Sequence, residues 1–215
     1  MGQIIEKISL YLANSRSAYL LAIRRHVTLS LKSLFLAILI GVPLGIICVK
    51  FRKGQKWVVG VFQVLRIVPS LAVLFMLIPI MGVGERPAIT ALVLLAMPPI
   101  LMNTVAALEE VPFFMLETAE GMGMTEQQIW RRVRLPLAMP LILAGVKIAL
   151  IEIIASATLA ANIGAGGLGG IILTGLGLNR ADLLLVGGVT VALIAITSSG
   201  IMDLLDRILL KYKYV

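Results

Sequence analysis

The chain has 215 residues, 60% of them hydrophobic and only 14% charged, and its mean hydropathy of +1.03 excludes an ordinary soluble domain. Its net charge of +8 does not point to nucleic acid, because the basic residues sit beside the ends of apolar runs, where they orient a membrane protein. A single histidine, a single cysteine and no G-x-x-x-x-G-K-[ST] phosphate loop exclude a two-histidine metal site, an internal disulfide and ATP hydrolysis of the usual kind.

Residues 1–25 lack the basic start, apolar middle and small-residue cleavage site of a signal peptide. Ile4, Ile8 and Leu12 recur at helical spacing, with Glu6 and Lys7 off that stripe. This amphipathic segment is expected to lie along the membrane surface as a short helix. Five uncharged runs follow, at 33–49, 67–84, 88–108, 153–179 and 183–202. Each is long enough to cross about 30 Å of hydrocarbon. Backbone polar groups in lipid must bond within the segment, and the runs do not alternate polar with apolar, so helices rather than barrel strands are predicted. The fold class is therefore an all-α integral membrane protein, with one domain over 26–215 and about five transmembrane helices.

Charge sets its orientation. Clusters at Lys50, Arg52, Lys53 and Lys56, at Arg131, Arg132 and Arg134, and at Arg207, Lys211 and Lys213 fall on one side if five spans are crossed, and that side is the cytoplasm. Lys7, Arg16, Arg24 and Arg25 then lie outside, against the rule; a further crossing or interfacial helix there would move the N-terminus. Within the first span, Gly41 and Gly45 flank Pro43 and suit close packing with a mild kink, Cys48 suits packing, and His26 at its entry suits the interface. Lys32 and Arg66 are near span ends and can snorkel, and Lys147 follows Pro140 closely enough to reach the cytoplasmic interface. Glu152 is deeper; it pairs with a neighbouring helix, closes a dimer or lines the solute path.

Between the third and fourth spans lies a polar stretch, about 109–136. Pro112 suits a helix's first turn, and the helix is predicted to carry Phe113 to Glu120. Gly121 falls where a left-handed cap is needed, and Gly123 lets the chain turn again. Thr125 and Gln128 have capping-box spacing, so a second helix starts there and is expected to end near Leu135, before Pro136. In it Ile129, Trp130 and Val133 share one face, while Gln127, Arg131 and Arg134 face water. On residues alone the stretch is either two short helices built to touch a partner or an ordinary solvated hairpin.

The pattern Glu117-Thr118-Ala119, three residues, Gly123, nine residues, Val133, one residue, then Leu135-Pro136 resembles the signature loop of permease subunits of ATP-binding-cassette importers. The family pattern begins Glu-Ala-Ala, so Thr118 is a small departure. The resemblance implies that Glu117, Ala119, Gly123, Leu135 and Pro136 hold the loop's shape, and that the segment from Glu117 to Arg134, with Gly121, Ile129, Trp130 and Arg131, docks on a cytoplasmic ATPase. It further implies a second permease copy or paralogue, an extracytoplasmic substrate-binding protein and the plasma membrane of a prokaryote, with no cofactor on this chain and ATP-Mg on the partner ATPase. Because the chain ends at Val215, the binding protein is expected to be separate.

Two segments resemble the osmoprotectant branch of these permeases, which takes up glycine betaine, choline and carnitine: residues 67–72 with 80–84, and Ile163-Gly164-Ala165-Gly166-Gly167-Leu168-Gly169. Permeases for methionine or other amines share the architecture, and an ion-driven carrier is the reading from another class, although no internal repeat is visible. Seven glycines between Gly164 and Gly177 make a poor helix. They form either irregular backbone at the outer mouth of the path or a small-residue packing surface, with Gly166 and Gly170 at the right spacing. The candidate path residues are Glu152, Asn162, Gly164, Gly166, Gly167 and Gly169.

Overall fold

A computed structural model describes residues 2–210; Lys211 and Lys213 of the third basic cluster lie outside the described residues. The chain forms helices α1 (Gly2–Asn14), α2 (Arg16–Lys50), α3 (Arg52–Leu65), α4 (Ser70–Met76), α5 (Ile78–Met81), α6 (Glu85–Glu109), α7 (Phe113–Gly121), α8 (Glu126–Ile129), α9 (Leu135–Leu159), α10 (Leu168–Gly177) and α11 (Ala181–Leu209). No strand occurs among the described residues. The predicted surface helix ends early: α2 begins at Arg16, so residues 16–25 extend the first span. In α1, Ile4, Ile8 and Tyr11 turn partly inward, while Leu12 stays outside.

Four stretches are long and apolar enough to cross a membrane alone: Arg16–Lys50, Glu85–Glu109, Glu126–Ile163 and Ala181–Ile208. The predicted continuous span at 67–84 is instead broken. Pro69 has no N–H and keeps Val68 out of the α region, so the chain bends by 98° between α3 and the α4–α5 pair. These pieces still make a fifth crossing. At one end Lys32 of α2 pairs with Glu85 at the start of α6, 2.6 Å apart. At the other end Lys50, which closes α2, and Leu108, near the end of α6, both meet the Trp130–Arg134 turn. Thus α2 and α6 run parallel, and residues 51–84 must return across the bilayer.

Helix α6 is the hub. It is buried along most of its length and packs between α2 and α9. Its neighbours come close because they offer glycine: a Cβ on Gly41 or Gly45 would lie 2.8 Å from Ile100 or 2.7 Å from Thr104, and one on Gly145 of α9 would lie 2.6 Å from Asn103. Packing is thus the role the structure gives Gly41 and Gly45. Cys48 is buried with Leu108 and Ile142, also as packing. Lys147 reaches Asp203 of α11 at 2.6 Å. His26 is not interfacial: it is fully buried, with Nε2 3.2 Å from the Ile154 carbonyl of α9.

Candidate functional site

Two places, one at each end of the helices, hold the predicted site residues other than Glu152. The first is an elbow between α6 and α9. Helix α7 starts after Pro112, which serves as its N-cap rather than its first turn. It ends in a Schellman cap: the Met124 amide donates to the Ala119 carbonyl at 3.2 Å and the Gly123 amide to that of Glu120 at 2.9 Å. The left-handed residue is Gly123, at φ +78°, and not Gly121, which completes the helix. Thr125 then opens α8 through the predicted capping box, its amide donating to Gln128 Oε1 at 2.8 Å.

The second helix does not stop before Pro136. Residues Trp130–Arg134 widen into a π turn, in which the Leu135 amide donates to the Trp130 carbonyl, and α9 continues without a break. A widened turn relieves the clash between a proline ring and the carbonyls before it, so Leu-Pro becomes the first turn of a span rather than a stop. The turn also redirects Arg134. Instead of facing water, its guanidinium donates from Nε (3.1 Å) and Nη2 (3.0 Å) to the Leu108 carbonyl at the end of α6. It lies 5.0 Å from the centre of the Trp130 ring, and Lys50 Nζ lies 5.3 Å from it. Trp130 and Leu135 are half-buried against Cys48, Leu108 and Ala138. Ends of three spanning helices, α2, α6 and α9, therefore meet at one aromatic ring.

Among the other predicted residues, Ala119 is buried in the elbow, Ile129 and Pro136 are half-buried, and Glu117, Gly121 and Arg131 are exposed. Sequence reasoning included Met122 only as part of the docking segment and missed Phe113 and Phe114. Phe113, Phe114 and Met122 are 71%, 63% and 69% exposed on the elbow. Their signal was present as apolar residues inside the most polar stretch of the chain. Apolar side chains exposed together within so polar a stretch mark a surface that something covers. It also missed Lys50 and the inward role of Arg134, which no local spacing reveals.

The second place is the end of α9. The apolar run at 153–179 is not one span: after Leu159 it becomes a 3-10 turn, Ala160–Ile163, then a loop, then α10. Gly164, Gly166 and Gly167 all have positive φ, which only glycine adopts cheaply. The Gly84 amide donates to the Ile163 carbonyl at 2.6 Å, so the loops before α6 and after α9 are joined. Gly167 lies on the His26 ring, and Gly166 lies beside the Arg25 guanidinium. Asn162 is exposed and donates to the Leu159 carbonyl at 3.0 Å. The glycines divide between loop and helix packing. Gly164 to Gly167 are loop. Gly169 is buried, and a Cβ there would collide with the Thr158 carbonyl; Gly175 and Gly187 bring α10 against α11. Gly170 faces open space and is not a packing contact. Gly169→Ala is accordingly expected to cost about 1–3 kcal/mol through overpacking, and Gly170→Ala nothing, in thermal unfolding of the detergent-solubilised protein. Glu152 stands apart from this loop, half-buried on α9.

Residues 37–211 match the family described as binding-protein-dependent transport system inner membrane component. The chain belongs to that family. It is a membrane transport component and not an enzyme. Among curated relatives, the choline transport system permease protein OpuBB of Bacillus subtilis (strain 168) is 40% identical over 182 residues, 85% of this chain and 84% of that protein. The carnitine transport permease protein OpuCB of Listeria monocytogenes is 43% identical, over 80% of this chain and 79% of its own. In solved structures, the MetNI methionine ABC transporter in inward-facing conformations superposes with a TM-score of 0.76 at 26% identity, over 86% of this chain and 93% of that chain.

Proposed function

We propose that this protein is the membrane half of an ATP-driven importer for small quaternary-amine osmolytes of the glycine betaine, carnitine or choline type. The observation that carries the reading is the elbow. It is a capped, glycine-turned projection with exposed Phe113, Phe114 and Met122 at its surface, continuous through the π turn with a spanning helix and tied to two others. An ATPase that closes on ATP and moves this projection moves α2, α6 and α9 together. Two copies, or this chain with a paralogue, enclose the path, and an extracytoplasmic binding protein delivers the solute to the end where Gly84 meets Ile163. The domain that does this spans 26–215, with residues 1–25 as its N-terminal extension. The substrate class is supported by relatives named for choline and for carnitine.

The complex of this chain with its ATPase and binding protein, in proteoliposomes, is expected to accumulate radiolabelled glycine betaine, carnitine or choline only when ATP is enclosed on the ATPase side. Uptake that persists without ATP and collapses with the ion gradient would replace this reading with a secondary carrier.

A further inference from the structure

One feature outside the elbow is unexplained by orientation or packing. Arg24, Arg25 and Lys32 are exposed at the end of α2 opposite the elbow, the side where the positive-inside rule disfavours cations. They share one face of α2 and line a cavity of about 400 Å³ with Thr28, Glu85 and Gly164. Lys32 is neutralised by Glu85. Among the described residues Arg24 and Arg25 have no ion-pair partner. Two free guanidiniums therefore face a recess at the level where the loops before α6 and after α9 join.

We infer that this recess is an outer binding station for the carboxylate of a zwitterionic osmolyte, and that it disfavours quaternary amines without a carboxylate. Three physical points lead there. The volume lies within the range of small-molecule sites, roughly 300–1,000 Å³. The lining holds no aromatic ring, so it offers no cage for a trimethylammonium group, and recognition must act on the other end of the solute. Three cations stand against one carboxylate, a field that repels a bare cation and attracts an anion; guanidinium is the side chain whose fork fits a carboxylate on two atoms. Arg24 and Arg25 hold the carboxylate, while Glu85 stays paired with Lys32. Arg25 also lies against Gly166, so an occupied station touches the glycine loop directly.

This inference rests on the osmolyte-importer reading, and its test is chosen to fail separately. Binding of glycine betaine and of choline to the purified permease–ATPase complex, without the binding protein, is measured by equilibrium dialysis. Glycine betaine is expected to bind, and choline roughly tenfold or more weakly, the size of one charge-assisted hydrogen bond. Arg24→Gln and Arg25→Gln should each remove most of that preference while the ATPase still co-purifies; Arg25→Lys should keep part of it. Equal binding of the two solutes, no binding of either, or glycine betaine binding unchanged in both glutamine variants overturns the station. So does an Arg25→Gln complex that discriminates normally but no longer accepts solute from the binding protein, since the arginines then hold an acidic protein surface. Absence of ATP-driven uptake in the complete system would instead overturn the importer reading itself.

Discussion

Gly123→Val is expected to cut ATP-driven uptake by at least about tenfold and to release the ATPase during purification, with the permease still folded. Gly123 holds φ at +78°, and its amide and that of Met124 close the cap of α7. A left-handed residue with a side chain costs about 1–2 kcal/mol, more when β-branched, and 1.4 kcal/mol is a factor of ten in occupancy of the elbow. No atom lies within 4 Å of where the new Cβ would stand, so the damage is confined to backbone geometry. That makes the control sharp. Gly123→Asn should retain most uptake, because asparagine tolerates this region. Gly121→Ala should be harmless or slightly stabilising, because Gly121 is an ordinary helical residue with open space around it. Co-purification of the ATPase and initial uptake rates decide it. Valine and asparagine variants that behave alike would mean that the elbow's shape is not what the ATPase recognises.

The contrast between Gly121 and Gly123 also shows what the residues disclosed and what they withheld. The all-helical membrane class, the run near α6, the capping box at Thr125 and the approximate bounds of α7 were legible, because each rests on local chemistry: apolar length, hydroxyl-to-amide spacing, proline's missing N–H. Which of two nearby glycines turns left depends on how the next helix must leave, and that is set by packing. The same limit explains Arg134. Helical periodicity put it in water; the π turn, which exists to pass Pro136, rotated it onto Leu108. His26 looked interfacial because it was placed at the entry of the first span, ahead of the uncharged run at 33–49; with α2 beginning at Arg16 it falls against Ile154 inside the protein. The glycine stretch was read as either loop or packing surface, and the chain divides it between the two at Gly167. The bend at Pro69 was hidden because hydropathy sums over a run without noticing where the backbone can continue.

Arg134→Gln is expected to uncouple the transporter, leaving ATP hydrolysis by the assembled complex largely intact while uptake per ATP falls severalfold to about tenfold. The guanidinium makes two donor contacts to a single carbonyl at the end of α6 and lies over the Trp130 ring, which Lys50 of α2 also approaches. Charge-assisted hydrogen bonds are worth roughly 1.5–3 kcal/mol, and losing them also leaves the Leu108 carbonyl without this donor. The elbow itself stays capped, since its glycine turn and capping box do not involve Arg134, so the ATPase still docks. What is lost is the rigid link by which a displacement of the elbow reaches α6 and, through the ring, α2. Arg134→Lys retains the charge over the ring but not the two-pronged contact, and should fall between wild type and glutamine. Trp130→Ala removes the platform for both cations and should uncouple at least as strongly. The reading that separates transmission from mere loss of fold is the ratio of solute moved to ATP hydrolysed. If hydrolysis and uptake decline in step, or if the ratio stays at the wild-type value in all three variants, the force travels by another route, and α9 alone carries it through the π turn.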